Sequence, residues 1–241
     1  MVNVLKLDIK INKARIYKNL HLDEAGLKNP MDDIFRELTQ IIKDNMKLTC
    51  IYSIADNTFS LPLCDIEDTE WKKYVICFVS ANDNIDSIIN GMMSSGDYLK
   101  GYILNEISTD VIFNASDEMN KIIRSEALSK GYLLSKRYAP GDGALDLSCQ
   151  QVLLDALKKT VNIDAYLTEA FMLFPEKSLL YLYGLYENEK AAIKIINPTL
   201  GAKTQNIKET MKNESNSDDY FGTDENCREC SNINCPYRKI R

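Results

Sequence analysis

Three pieces of sequence between Arg137 and Tyr186 decide how this chain is interpreted: R-Y-A-P-G at 137–141, L-T-E-A-F-M-L-F-P-E-K-S at 167–178, and L-L-Y-L-Y-G-L-Y at 179–186. The first predicts a corner, because Pro fixes its own φ and Gly allows the chain to turn. Ser148 is the predicted N-cap of a helix that runs to about Thr160, and the second piece predicts a polar turn after that helix. The third piece has no polar face, which predicts a central strand covered on both sides.

The rest of the chain predicts five further strands and two helices, besides a longer helix. Apolar and polar residues alternate from Val2 to Ile16, the pattern of a half-buried strand. Asn29-Pro30 indicates a helix start, with Asp32 and Asp33 in its first turn and its end near Asn45. The short, β-branched segments 48–54 and 74–80 predict buried strands. Residues 84–94 predict a short helix, 132–139 a strand and 191–196 a last strand before Asn197-Pro198.

The segment 96–130 carries the clearest helical pattern. Apolar residues recur every four positions and Gly131 is the predicted C-cap, so we expect one long helix that forms the spine of the domain. The apolar positions are Leu99, Ile103, Ile107, Val111, Ala115, Met119, Ile122, Ile123 and Ala127. The polar face carries Asn105, Glu106, Asp110 and Glu118, which we interpret as solvated.

Composition limits the function classes. The 241 residues carry a formal net charge of −6, which argues against a nucleic-acid-binding surface. No apolar run approaches the length of a membrane helix, and no secretory segment opens the chain, so we expect a cytoplasmic protein with no membrane partner. The only histidine, His21, has no neighbouring partner for catalysis and is interpreted as a surface residue. Cys50, Cys64, Cys77 and Cys149 lie singly in apolar surroundings and are interpreted as buried hydrophobes.

The corner at 137–141 combines groups that suit an amino-acid-like ligand with an aromatic base. Arg137 offers a planar fork for a carboxylate, and the Pro140-Gly141 turn brings backbone polar groups close to a flat molecule. Taken alone, the motif favours a β-turn with a surface arginine over a ligand site.

The order Arg137-x-Ala139-Pro140-Gly141, helix, Leu167-Thr168-Glu169 and Pro175-x-x-Ser178 resembles the activation domain of vitamin B12-dependent methionine synthases. The resemblance implies an α+β fold, a twisted antiparallel β-sheet with packed helices. It implies binding of S-adenosylmethionine through Arg137, Ala139, Pro140 and Gly141, with Glu169 as a weaker candidate that equally suits turn capping. It also implies a corrinoid (cobalamin-binding) partner protein that is remethylated reductively, and an electron-donor protein.

Two features depart from that family. Asp142 stands where the family has Tyr, which removes an aromatic partner and places a carboxylate beside the ligand carboxylate. The chain also lacks substrate and cobalamin domains, so we expect a free-standing relative that acts on a corrinoid protein in trans. A scaffold that keeps the fold without the ligand is the alternative that Asp142 favours.

The C-terminal part has a different composition. We expect an activation-domain-like unit at 1–201, a polar linker at 202–226 and a Cys-rich tail at 227–241. Cys227, Cys230 and Cys235 follow a Cys-x2-Cys-x4-Cys spacing, which predicts a metal site holding either zinc or an iron–sulfur cluster. This tail supports a second hypothesis, a non-catalytic accessory protein in electron transfer or metal handling.

Overall fold

The computed structural model describes residues 2–21, 28–56, 71, 73–142 and 145–187. Within these ranges an antiparallel five-stranded sheet has the order β1-β2-β3-β7-β4, and a separate hairpin pairs β5 with β6. The strands are β1 (Val2–Leu5), β2 (Leu48–Asp56), β3 (Lys73–Ala81), β4 (Leu133–Leu134), β5 (Tyr166–Leu167), β6 (Leu173–Phe174) and β7 (Ser178–Tyr186). The predicted α+β class is confirmed.

Five helices lie in this part of the chain: α1 (Lys13–Asn19), α2 (Lys28–Asn45), α3 (Asn84–Ser94), α4 (Tyr98–Ser129) and α5 (Cys149–Lys158). The first four pack on one face of the sheet, whose main core includes Ile107 of α4 and Val75 of β3. α5 packs on the other face, against residues such as Leu182 of β7. None of the helices in the described ranges has the length and apolar character needed to cross a membrane.

The predicted long helix is confirmed. α4 begins after Asp97, whose side chain accepts a hydrogen bond from the Lys100 N–H, and it ends at Ser129. Gly131 follows with φ +78°, and the N–H of Tyr132 donates to the Ala127 carbonyl at 2.9 Å. This is the glycine-terminated helix end that the sequence predicts. Leu99 and Ile122 are exposed rather than buried, so the apolar face is narrower than the sequence pattern.

The prediction of a strand from Val2 to Ile16 is wrong beyond Leu5. The alternation of exposed and half-buried side chains continues to Ile11, and Leu7 and Ile9 pack on the core without pairing to a strand. Asn12 then caps α1 by accepting a hydrogen bond from the Arg15 N–H. An extended segment that packs on a core can therefore show alternating side-chain burial without pairing to a neighbouring strand.

Other boundaries differ in smaller ways. α2 begins at Lys28, so Asp32 lies beyond its first turn and instead pairs with Lys13 at 2.7 Å. The predicted strand 132–139 shrinks to β4 and one bridge between Tyr138 and Leu182. Ser148 precedes α5 but makes no capping bond, because its hydroxyl donates to Asp146. Strand β7 is central as predicted, while the predicted strand 191–196 lies outside the described residues.

Three of the dispersed cysteines are buried free thiols, as predicted: Cys50, Cys77 and Cys149. Burial raises the pKa of Cys50 to about 11. Such thiols remain protonated at neutral pH and behave as small apolar side chains. Cys64 lies outside the described residues.

Candidate functional site

The corner predicted at 137–141 lies between β4 and α5 and is attached to β7. Tyr138 exchanges two backbone hydrogen bonds with Leu182, at 3.0 and 2.9 Å. Nearer β4, the Ser135 N–H donates to the Gly184 carbonyl at 2.9 Å, and the Ser135 hydroxyl accepts from the Gly184 N–H at 2.8 Å. These four bonds fix the corner against the centre of the sheet.

The turn itself requires its glycine. Gly141 has φ +85°, and its N–H donates to the Leu145 carbonyl at 2.8 Å. The Asp142 N–H donates to the Ala139 carbonyl at 3.0 Å. A Cβ atom on Gly141 would also lie 3.2 Å from Cδ1 of Leu147. Positive φ and close approach together explain why Gly stands here.

Arg137 is half-buried on the α4 face of the sheet. Its guanidinium carbon lies 5.4 Å from the centre of the Tyr181 ring. Burial raises the pKa of Cys77 well above its usual range, and the positive charge of Arg137 acts in the opposite direction. Burial likewise raises the pKa of Tyr183, with Arg137 again opposing the shift. The side chain therefore brings a cation to a largely apolar region.

Tyr181 is a residue of this region that sequence reasoning assigned only to the core. It is 1% exposed, and its hydroxyl donates to Oδ1 of Asn120 at 3.0 Å. The hydroxyls of Ser116 and Tyr181 are 2.8 Å apart, and Ser116 donates because the single Tyr181 proton goes to Asn120. The available signal was a tyrosine in an apolar strand, since a buried hydroxyl needs partners.

Tyr138 faces the opposite side of the sheet from Arg137. Its ring centre lies 5.2 Å from that of Trp71, and Nζ of Lys136 lies 5.6 Å from it. Trp71 also donates to the Tyr186 hydroxyl at 2.5 Å. Tyr138, Trp71 and Tyr186 therefore form an aromatic cluster that packs on the corner from the α5 face of the sheet.

The second predicted turn is the connection between β5 and β6. Its hydrogen bonds are made by Thr168: the backbone N–H donates to Met172 O at 2.9 Å, and the side-chain oxygen accepts from the Met172 N–H at 3.1 Å. Glu169 is exposed in this turn. These capping bonds belong to Thr168, and a ligand contact for Glu169 stays a prediction.

The Pro175-x-x-Ser178 segment forms the entry to β7 and follows a cis peptide bond between Phe174 and Pro175. The Ser178 hydroxyl donates to the Pro175 carbonyl at 2.6 Å and lies 2.7 Å from the Ser80 hydroxyl. The Glu176 N–H donates to Oδ2 of Asp86 at 3.0 Å. These bonds tie the segment to β3 and to the first turn of α3.

Asp86 was not singled out in the sequence. It is 5% exposed, and its second oxygen, Oδ1, is buried with no hydrogen-bond partner. Burial raises the pKa of Asp86, while nearby Lys177 opposes the shift. Nζ of Lys177 donates to Oδ1 of Asn105 at 2.8 Å. Asp86 and Lys177 therefore bond the segment before β7 to α3 on one side and to α4 on the other.

The prediction that Asp110 belongs to a solvated face is wrong. Asp110 is 1% exposed and accepts from Nε of Arg15 at 2.5 Å and from the Asn12 N–H at 2.8 Å. Asn114 completes the group, donating to Asp110 and accepting from Arg15. The carboxylate is buried because the segment before α1 crosses this part of α4. Glu106, from the same predicted face, is half-buried, and burial raises its pKa.

No cluster of three or more His, Cys, Asp or Glu side chains suited to a metal occurs in the described part of the chain. The predicted ligands Cys227, Cys230 and Cys235 lie outside it, as do the predicted linker and tail. The zinc or iron–sulfur site stays a prediction. His21 is exposed, as expected for a surface residue.

Comparison with solved structures finds the same fold in a crystal structure of the MetH reactivation domain bound to AdoHcy. The match has a TM-score of 0.55 at 10% sequence identity and covers 88% of this chain and 89% of that chain. No protein-family profile matches the sequence, and no curated protein does. The likeness to the methionine synthase activation domain is therefore confirmed at the level of the fold.

Proposed function

We propose that this chain binds S-adenosylmethionine at the 137–141 corner and assists the reductive methylation of a corrinoid protein supplied in trans. The observation that carries the proposal is the shared fold with a reactivation domain whose structure holds AdoHcy. The described corner adds a half-buried arginine and a turn whose glycine has φ +85°. In this role the domain presents a methyl donor, while the cobalamin and the electrons come from partner proteins.

The chemistry of the corner fits an amino-acid-like methyl donor. The guanidinium of Arg137 can pair with a carboxylate through two parallel hydrogen bonds. Gly141 is exposed and carries no side chain, so a flat ring can approach its backbone. Asp142 is exposed next to this turn.

The first test is a calorimetric titration of the protein with S-adenosylmethionine under anaerobic conditions. Arg137→Ala should lower the affinity by about 10- to 100-fold, because a charge-assisted bidentate pair contributes about 1.5–3 kcal/mol. Arg137→Lys keeps the charge without the fork and should bind with intermediate affinity. A folded Arg137→Ala protein with unchanged affinity would contradict the assignment of Arg137 to the ligand carboxylate.

Lys136→Ala is the matched control. This residue is the adjacent cation, but it is exposed and lies over Tyr138, on the other side of the corner. Its removal should leave the affinity for S-adenosylmethionine nearly unchanged. An equal loss in both variants would indicate a general effect of positive charge rather than a carboxylate contact.

The second candidate function is an accessory protein in electron transfer or metal handling, favoured by the spacing of Cys227, Cys230 and Cys235. Iron, sulfide and zinc analysis of anaerobically prepared protein tests it. A metal-free protein would remove this candidate, and it would leave the proposal for the corner unaffected.

A further inference from the structure

We infer that Tyr181 is a positioning residue, which holds the Arg137 guanidinium in the orientation that receives a ligand carboxylate. The inference rests on the proposed function for its ligand, and on the structure for its geometry. Three observations carry it: the arginine over the tyrosine ring, the anchored tyrosine hydroxyl and the place of Tyr181 in the sheet.

The first observation is the contact between the two side chains. The Arg137 guanidinium carbon lies 5.4 Å from the Tyr181 ring centre, within the range of a cation–π interaction. A free arginine side chain has many rotamers, and ordering it costs binding energy. A ring that already restricts the guanidinium reduces this cost at the moment of binding.

The second observation is that the ring is itself fixed. Its hydroxyl bonds to Ser116 and Asn120, both on α4, and Ser116 is fully buried. The ring edge meets Tyr183 at an interplanar angle of 87°. Burial also raises the pKa of Tyr181 well above its usual range, so the phenol stays protonated and keeps donating to Asn120. Arg137 therefore rests on a side chain that connects β7 to α4.

The third observation provides an internal control. Tyr52, Cys77 and Tyr181 lie in one row across β2, β3 and β7. Tyr52 is also buried, and its hydroxyl donates to Glu126 of the same helix. The two tyrosines thus share burial and an anchor on α4, but Tyr52 lies two strands from Tyr181. The Arg137 guanidinium lies over the ring of Tyr181.

The test uses two ligands, S-adenosylmethionine and its decarboxylated analogue, with the intact chain. Tyr181→Leu should lose about tenfold in affinity for S-adenosylmethionine and should bind the decarboxylated analogue as the unmodified chain does. Tyr52→Phe should change neither affinity. Equal losses for both ligands in Tyr181→Leu would assign a merely structural role to Tyr181 and overturn the inference.

A second measurement needs no ligand. The Nε–Hε signal of Arg137 in a ¹⁵N NMR spectrum, assigned by its loss in Arg137→Lys, should show a ring-current shift in the unmodified chain and in Tyr52→Phe. The shift should disappear in Tyr181→Leu; a retained shift overturns the inference. If the unmodified chain binds neither ligand, the proposed function fails, and this signal still decides whether Tyr181 holds Arg137.

Two milder variants cover the case in which Tyr181→Leu does not fold. Tyr181→Phe keeps the ring but frees it from α4, and Ser116→Ala removes one of the two anchors. Both should lower the affinity for S-adenosylmethionine while leaving the decarboxylated analogue unaffected. Unchanged affinity for S-adenosylmethionine in both folded variants would contradict the inference.

Discussion

Gly184 of β7 packs directly against Trp71. A Cβ atom at Gly184 would lie 2.1 Å from Cδ2 of the indole, a distance that real side chains do not adopt. Trp71 is 1% exposed and donates to the Tyr186 hydroxyl, so it has little freedom to move away. Gly184 lies in an ordinary strand, so its backbone conformation does not require glycine. The close approach of the Trp71 ring does.

We therefore expect Gly184→Ala to destabilise the protein by about 3 kcal/mol, at the upper end of the cost of overpacking. Gly91 of α3 is the matched control, since nothing lies within 4 Å of its Cβ position. Gly91→Ala should stabilise the protein by about 0.5–1 kcal/mol. Urea denaturation of both variants measures the difference, and a neutral Gly184→Ala would contradict this packing.

Single residues differ in how far the sequence predicts them. The Pro140-Gly141 turn is predictable because its residue types act locally. Tyr181, Asp86 and Asp110 depend on which distant elements meet them, and no local pattern distinguishes a buried carboxylate from a solvated one. The lack of a polar face in β7 predicts that both faces are covered, yet it does not say that Arg137 lies on one of them.

At the scale of elements, the buried ion pair between α1 and α4 has the clearest energetic role. Nε of Arg15 lies 2.5 Å from Oδ1 of Asp110, and the two side chains are 20% and 1% exposed. Nζ of Lys100 on α4 lies 2.8 Å from Glu37 of α2 at a more exposed position. These contacts hold the first two helices on the long helix.

Asp110→Ala should cost about 3 kcal/mol, because it removes the carboxylate that accepts from Nε of Arg15 and from the Asn12 N–H. Hydrogen exchange should increase first at residues 10–19. The exposed pair Arg36–Asp33, with side chains 78% and 86% exposed, gives the control. Asp33→Ala should change stability by about 0.5 kcal/mol or less. Similar costs in the two variants would contradict a buried role for Asp110.

Elements with a strong internal pattern were predicted well. The boundaries of α3 and the C-terminal end of α4 agree with the sequence, since periodicity and the terminal glycine are local features. The N-terminal strand was predicted too long, because an extended segment on a core shows the same alternation as a paired strand. The β5–β6 hairpin was anticipated only as a polar turn, since each of its strands is two residues long.

At the scale of the whole molecule, Asp86 links global stability to pH. Its raised pKa means that the folded protein binds a proton more tightly than the unfolded chain does. The contribution of Asp86 to stability is therefore greatest below about pH 4, the usual pKa of an aspartate, and it decreases as the pH rises through the raised value.

Asp86→Asn removes this titration. The difference in unfolding free energy, Asp86→Asn minus the unmodified chain, should increase as the pH rises from about 4 toward neutrality. Urea midpoints between about pH 4 and 8 measure it. Asp83 precedes α3, is exposed and makes no side-chain capping bond, so Asp83→Asn is the control for removing a nearby carboxylate. A flat difference for Asp86→Asn would show that its burial does not favour the protonated form.

The strand order has a consequence for how the molecule is made. In the described structure β4 pairs only with β7, and the corner beyond it bonds to Leu182 of that same strand. During synthesis the ribosome therefore releases β1, β2, β3, the long helix and the corner before β7. This strand pairs with both β3 and β4. In the folded protein β7 lies between β3 and β4. The candidate site is thus completed by the last described strand to be translated.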